Sequence, residues 1–317
     1  MQNALLEREV SSISQQFGID VIEGLSQKRK QLHPKYFYDE QGSAYFDEIC
    51  ALDEYYPYQS EIDLLPRVTQ ELATMLTEDY AVIEFGAGSL QKIKPLLSHV
   101  RGVKRFIPID ISGEHLRESC AALQREFPHL KIQAIEGDFT RSTKIGGNIE
   151  EKKLGFFPGS TIGNFTPGDA QEFLSNAKKT LGEHSHLLVG VDTKKSPAIL
   201  HSAYNDSLGV TAKFNLNILD RINRELDADI PVGKFEHYAH YNTTKGCIEM
   251  HLVCLEKHSV DIDGVRINFE MGESIHTESS YKYAPSEFRT LALNAGWQVE
   301  KMWLASDDLF SMFLLRN

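Results

Sequence analysis

Tyr80-Ala-Val-Ile-Glu-Phe-Gly-Ala-Gly-Ser-Leu-Gln-Lys92 is the stretch from which the fold can be read. Ala81 to Ile83 is a short apolar run, Glu84 closes it, and Gly86 and Gly88 follow before a helix expected from about Ser89. The order is strand, tight turn, helix. Glycine has no Cβ, so the backbone there can turn sharply and approach a ligand closely. The helix that follows offers unpaired amides to polar ligand atoms. Two glycines alone are equally compatible with a plain strand-to-helix turn.

Two later stretches decide between these readings. Arg105-Phe-Ile-Pro-Ile-Asp110-Ile is a second apolar strand, and its acid lies 26 residues after Glu84. That is near the spacing at which nucleotide folds set a carboxylate on ribose hydroxyls. Lys131-Ile-Gln-Ala-Ile-Glu-Gly-Asp138-Phe139 is a third strand ending in Gly-Asp-Phe. An aspartate there can accept from an adenine amino group while Phe139 covers the ring face. Glycine turn, acid and Asp-Phe in this order are similar to a class I S-adenosylmethionine (SAM)-dependent methyltransferase. A dinucleotide reading is weaker, because Leu90 and Gln91 occupy the region of the third glycine in G-x-G-x-x-G.

Around this centre the chain alternates. Strands are expected at 80–85, 105–110, 131–136, 154–160 and 186–192, and helices at 89–99, 113–127 and 167–182. Such alternation implies a parallel sheet with crossover helices and ligands at the carboxyl ends of its strands. Upstream, an amphipathic helix is expected within 1–30 (Leu5, Leu6, Val10, Ile13, Phe17), a second from an Ser43 cap to Leu52, and a third from Ser60. Residues 195–245 and beyond change character. An amphipathic helix runs to Glu225, 235–253 alternates as a strand, and Asp263-Gly264 marks a hairpin. A helix from Pro285 to Ala295 and two strands, 297–304 and 309–315, close the chain.

The chain has 317 residues, 41% hydrophobic and 25% charged, with a net charge of −12. A sizeable core is possible, and an acidic chain without a dense basic cluster argues against a nucleic-acid backbone as substrate. Cys50, Cys120, Cys247 and Cys254 contain no Cys-x-x-Cys pair, so buried free thiols are expected rather than a thiolate metal site. The twelve histidines are scattered, and no metal is expected. There is no basic segment followed by a long apolar run and no membrane-length window, so a cytoplasmic protein is expected, off the membrane. Nothing in the sequence sets the oligomeric state; a monomer is the expectation.

Ten stretches in order resemble the histidine Nα-methyltransferases of ergothioneine biosynthesis over nearly the whole chain. They are Lys35-Tyr-Phe-Tyr-Asp, Glu54-Tyr-Tyr-Pro, Glu84-Phe-Gly-Ala-Gly-Ser, Gly137-Asp-Phe, Gly159-Ser-Thr-Ile-Gly-Asn-Phe-Thr-Pro, Ala203-Tyr-Asn-Asp, Gly209-Val-Thr-Ala-Lys-Phe-Asn, Asn223-Arg-Glu-Leu, Ile248-Glu-Met and Glu278-Ser-Ser-Tyr-Lys-Tyr. The resemblance implies an α/β fold. A Rossmann-like class I methyltransferase core (59–194 plus 282–317) would bind SAM, and an α+β domain (1–58 plus 195–281) would bind substrate. It implies SAM contacts at Tyr38, Gly86, Lys92, Asp110, Asp138 and Phe139. Asn164 and Tyr204 match the pair that holds the amino-acid carboxylate, and Tyr55, Glu278 and Ser280 the residues that hold the imidazole. Met250 and Thr211 match others lining the pocket, and no catalytic group beyond positioning is implied. The implied activity is methylation of the α-amino group of free histidine, giving the trimethylated betaine. Some relatives methylate tryptophan-type amines, so another amino acid or aromatic amine remains an alternative substrate. A non-catalytic SAM- or amino-acid-binding regulator is a third reading. A carboxylate such as Glu278 suits an imidazole N–H better than an indole pocket.

Overall fold

The computed structural model describes residues 15–111, 113–146 and 149–317. Leu5, Leu6, Val10 and Ile13 of the expected first helix lie outside the described residues. The helix is present over 15–26 (α1), and its Phe17, Val21 and Leu25 are buried at helical spacing. The chain forms two compact units. One holds the described residues up to Tyr56 together with Lys195–Ser280, and the other holds Pro57–Lys194 and Tyr281–Asn317.

The unit that carries the glycine turn is built on an eight-stranded sheet. Its strands are β1 (Tyr80–Phe85), β2 (Val103–Asp110), β3 (Lys131–Ile132), β4 (Ile135–Glu136), β5 (Lys152–Phe157), β6 (His186–Asp192), β12 (Gln298–Leu304) and β13 (Phe310–Arg316). The order is β12-β13-β6-β5-β1-β2-β3, with β4 also on β2. β1 pairs in parallel with β2 and β5, whereas β13 lies antiparallel to both β6 and β12. This final reversed strand, inserted beside β6, is the order of a class I methyltransferase core. Every residue of β1 is buried, as a central parallel strand covered on both faces requires.

Helices α3 (Tyr56–Met75), α4 (Lys94–His99), α5 (Gly113–Glu126), α6 (Pro167–Leu181) and α9 (Pro285–Asn294) accompany the sheet. Three expectations are corrected here. α3 starts at Tyr56 rather than Ser60, because Pro57 falls in its first turn, where the missing amide breaks no helical hydrogen bond. α4 starts at Lys94 rather than Ser89, because Leu90 adopts a left-handed φ of 57° and 89–93 form turns. The third strand is two short pieces, β3 and β4, rather than a continuous 131–136.

The other unit contains α2 (Glu40–Cys50), α7 (Pro197–Tyr204) and α8 (Val210–Leu226). Its strands are β7 (Phe235–Asn242), β8 (Cys247–Cys254), β9 (His258–Ile262), β10 (Val265–Phe269) and β11 (Ser274–Tyr281), the last ending at the unit boundary. The order β11-β8-β7 makes a three-stranded sheet, and β9 and β10 form a hairpin. Asp263 and Gly264 turn that hairpin with positive φ of 49° and 77°. α2 is capped by Asp39, not Ser43: Asp39 Oδ1 accepts from the Gly42 amide at 2.7 Å. A Cβ on Gly42 would meet the Phe37 carbonyl at 1.7 Å, so the turn before α2 requires glycine there. No disulfide joins the four cysteines, and Cys120, Cys247 and Cys254 are buried as expected, whereas Cys50 is half-buried.

Candidate functional site

In the large-sheet unit the chain leaves β1 through Gly86 (φ +69°) and Gly88 (φ +53°). A Cβ on Gly86 would stand 3.1 Å from the Phe139 ring, so the turn and the Asp-Phe segment are in close approach. Asp110 ends β2, and its Oδ2 accepts from the Gly88 amide at 3.1 Å. Parallel pairing of Phe85 with Ile109 puts both strand ends at one edge. Asp138 Oδ1 accepts from the Thr140 amide at 2.9 Å. The Phe139 ring lies 5.8 Å from that of Phe157 and 6.2 Å from that of Phe173.

Lys92 does more than the sequence suggests. Its Nζ lies 2.7 Å from Glu61 Oε2 and 5.1 Å from the centre of the Tyr58 ring. Glu61 is fully buried, and both its oxygens receive the Gly159 amide, at 2.9 and 2.8 Å. Sequence reasoning missed Glu61, which lies 98 residues from the turn it holds. Glu84 is also buried, and burial pushes its carboxyl well above the usual range. Lys92 opposes this shift, and Asp110 and Glu61 reinforce it. Its Oε2 has no hydrogen-bond partner among the described residues. A glycine cradle, an orphaned buried carboxyl and an acid at the next strand end are a donor and acceptor set that fits a nucleoside carrying ribose hydroxyls.

Asn164 ends the 3-10 turn Thr161–Asn164 and is half-buried. Ser160 before it takes a left-handed φ of 54°, and its Oγ accepts from the Asp192 amide at 2.8 Å. Gly163 passes close to the chain at Tyr281, where a Cβ would meet the carbonyl at 2.7 Å.

The other unit gathers the remaining residues. The Tyr38 ring meets Phe46 and Phe214 edge-on, at 5.6 and 5.9 Å. Tyr55 meets Phe46 at 6.4 Å and Tyr204 at 6.1 Å. Tyr204 closes α7, and its hydroxyl donates to Ser280 Oγ at 2.8 Å. Burial pushes the Tyr55 phenol well above its usual range, and Tyr204, Cys50, Tyr38 and Glu278 push it further. Tyr38, Tyr55, Tyr204, Glu278 and Ser280 are therefore one cluster, with Glu278 and Ser280 both buried on β11.

Met250 is buried on β8 opposite Ala239. Thr211 is buried in the first turn of α8, where its amide and that of Val210 donate to Asp206, each at 2.8 Å. Asp206 was not singled out by sequence. Its signal is an acid four residues before a helix start. Burial raises its carboxyl, but these amides and the Thr211 side chain outweigh that and hold it below the usual range.

A family model described as histidine-specific methyltransferase, SAM-dependent, matches residues 17–317. The chain belongs to this family. It is 38% identical over 303 residues to the histidine N-alpha-methyltransferase of Mycobacterium tuberculosis, covering 93% of each chain. It is 33% identical over 200 residues to ergothioneine biosynthesis protein 1 of Neurospora crassa, covering 61% of this chain and 23% of that one. A more distant relative is the 4-dimethylallyltryptophan N-methyltransferase of Aspergillus fumigatus, 25% identical and covering 93% of this chain and 92% of that one. As a member of this SAM-dependent family the chain is a methyltransferase, and the glycine turn, Asp110 and the Asp138-Phe139 pair lie in the sheet unit that carries its fold. No helix among the described residues is long and apolar enough to cross a membrane.

Proposed function

We propose that this protein transfers three methyl groups from SAM to the α-amino group of free L-histidine. The product is the trimethylated betaine, hercynine, on the route to ergothioneine. The observation that supports this reading best is the buried polar cluster of Glu278, Ser280, Tyr204 and Tyr55. A carboxylate can accept a hydrogen bond from an imidazole N–H, and a site built around such an acceptor disfavours side chains that cannot use it. The 38% identity to a histidine N-alpha-methyltransferase supports the same substrate.

In this reading Gly86, Lys92, Asp110, Asp138, Phe139 and Tyr38 hold SAM. Asp110 accepts from the ribose hydroxyls, Asp138 from the adenine amino group, and Phe139 covers the base. SAM, when bound, supplies an electrophilic methyl group on a sulfonium. Lys92 also fixes Glu61, and through it the Gly159 turn that leads to Asn164. Asn164 and Tyr204 hold the substrate carboxylate, and Tyr55, Glu278 and Ser280 hold the ring, with Met250 and Thr211 lining the pocket. The Tyr204–Ser280 hydrogen bond couples the carboxylate and ring contacts, so the amino acid is oriented from both ends. The α-nitrogen is then the substrate's free reactive atom. It must be a neutral amine at each transfer, and catalysis rests on positioning. Tyrosine faces tolerate the growing cationic charge on that nitrogen. The reading extends to a cytoplasmic, monomeric enzyme acting without nucleic acid, membrane or catalytic metal.

The test is incubation with SAM and an equimolar pool of free amino acids, read by fragmentation mass spectrometry. Histidine carrying three methyl groups on the α-nitrogen is the expected product. Methyl groups on the ring, methylated tryptophan in preference to histidine, or no turnover would each contradict the reading.

A further inference from the structure

The β7–β8 hairpin brings together side chains that the sequence keeps apart. Its antiparallel register sets Tyr238 opposite His251 and His240 opposite Glu249, so the four share one face of the three-stranded sheet. His240 Nε2 lies 3.5 Å from Glu249 Oε2, and His251 Nε2 lies 3.6 Å from the same oxygen. One ligand-type atom from each of the three residues falls within 4.8 Å of the others. Two ligands at zinc distances on a tetrahedral centre lie about 3.4 Å apart, close to these separations.

The groups are also poised for such a role. Glu249 is buried, and its other oxygen, Oε1, takes Lys245 Nζ at 2.7 Å, so Oε2 is the atom turned to the imidazoles. His251 Nε2, one of the atoms turned to Glu249, is buried without a hydrogen-bond partner among the described residues, a cost that a buried polar atom seldom bears without a ligand. His276 stands 5.3 Å from the His251 ring, and its Nε2 is engaged with Ser279 Oγ at 3.0 Å. None of the three residues has a part in the proposed methyl transfer.

We propose that His240, Glu249 and His251 bind one borderline divalent cation, with zinc the best match, and that this ion clips β7 to β8. Two imidazoles, one carboxylate and a position for water are the donor set of an open zinc site. The expectation of no metal arose because the histidines are scattered in the sequence: His251 comes 11 positions after His240, and the hairpin register brings them together.

The experiment uses the full chain, stripped with a chelator and titrated with Zn²⁺ alone by calorimetry. Parallel titration with Co²⁺ reads the visible absorption of a four-coordinate ion. Wild type should take one equivalent. His251→Ala and Glu249→Gln should each weaken binding at least about tenfold. His129→Ala, at an exposed histidine elsewhere, should bind as wild type does. Lys245→Met leaves the three ligands intact and removes a competing cation from Glu249, so it should tighten binding. This exposed change carries the test if a ligand variant fails to fold. Wild type that takes no stoichiometric zinc, binding unchanged in His251→Ala, or affinity unmoved in Lys245→Met would overturn the proposal.

Discussion

The glycine-turn edge of the large sheet and the tyrosine cluster of the other unit bury polar groups in opposite ways. The first is built from ionisable groups: Glu61, Glu84 and Asp110 with Lys92 among them. The second is built from hydroxyls and rings, with Glu278 as its one carboxylate. Charge close to backbone amides fixes a turn and suits a ligand rich in hydroxyls and positive charge. Hydroxyls and aromatic faces around one acid suit a small amino acid that must be distinguished by a single N–H. The difference predicts that damage to the first region acts through structure and SAM, and damage to the second through substrate choice.

The largest effect should come from Glu61→Ala. It leaves Lys92 without its carboxylate and the Gly159 amide without its acceptor, and breaking a buried pair from one side costs about 3–5 kcal/mol. Urea unfolding should show a loss of that size, with Glu61→Gln milder because it still accepts from Gly159. A loss near zero would mean that the pair does not hold the turn.

Asp110→Ala comes next. A hydrogen bond to a charged group is typically worth about 1.5–3 kcal/mol, so SAM should bind roughly tenfold to a hundredfold more weakly. Calorimetry with unchanged SAM affinity would remove Asp110 from the ribose role and blur the contrast between the regions.

These two acids also show what the sequence could and could not reveal. Asp110 was legible because it ends an apolar run at a known distance from a glycine turn. Strands 1, 2, 5 and 6 were legible as strands of a parallel sheet for a related reason: continuous apolar runs mark parallel strands buried on both faces, although their order was not encoded there. Glu61 was not legible, because in sequence it is one acid on an amphipathic helix and its partners are supplied by tertiary structure. The Asp39 cap and the His240–Glu249–His251 trio were hidden likewise. Each depends on a turn geometry or a strand register that composition does not encode. The tyrosine cluster was named only through family resemblance, since aromatic residues at those spacings read as ordinary packing.

A smaller effect is expected away from both regions. The Tyr36 hydroxyl donates to Asp20 Oδ2 at 2.6 Å, and with Gln16 and Lys35 it outweighs burial and lowers the Asp20 pKa from 3.8 to about 2. The folded state therefore binds this proton less readily than the unfolded state. The resulting stability is complete above pH 3.8 and is lost as pH falls through about 2. Tyr36→Phe keeps the ring against Phe17, at 4.6 Å, and should cost about 1.5 kcal/mol at neutral pH. It should also flatten the pH dependence of stability in that acid window, as thermal unfolding across pH 2–4 would show. An equal slope in both proteins would mean that Asp20 is held by Lys35 and Gln16 alone.

The most direct test of the account is the ratio of kcat/KM for histidine to that for tryptophan in wild type, Glu278→Ala and Glu278→Ala with Met250→Val. SAM affinity is measured alongside. Losing the charged acceptor should cost histidine about 1.5–3 kcal/mol, or roughly one to two orders of magnitude in kcat/KM. The ratio should fall in the single variant and further in the double, while SAM affinity holds. A ratio constant across the three proteins, or a loss carried by SAM affinity, would contradict the assignment of Glu278 as the residue that selects histidine.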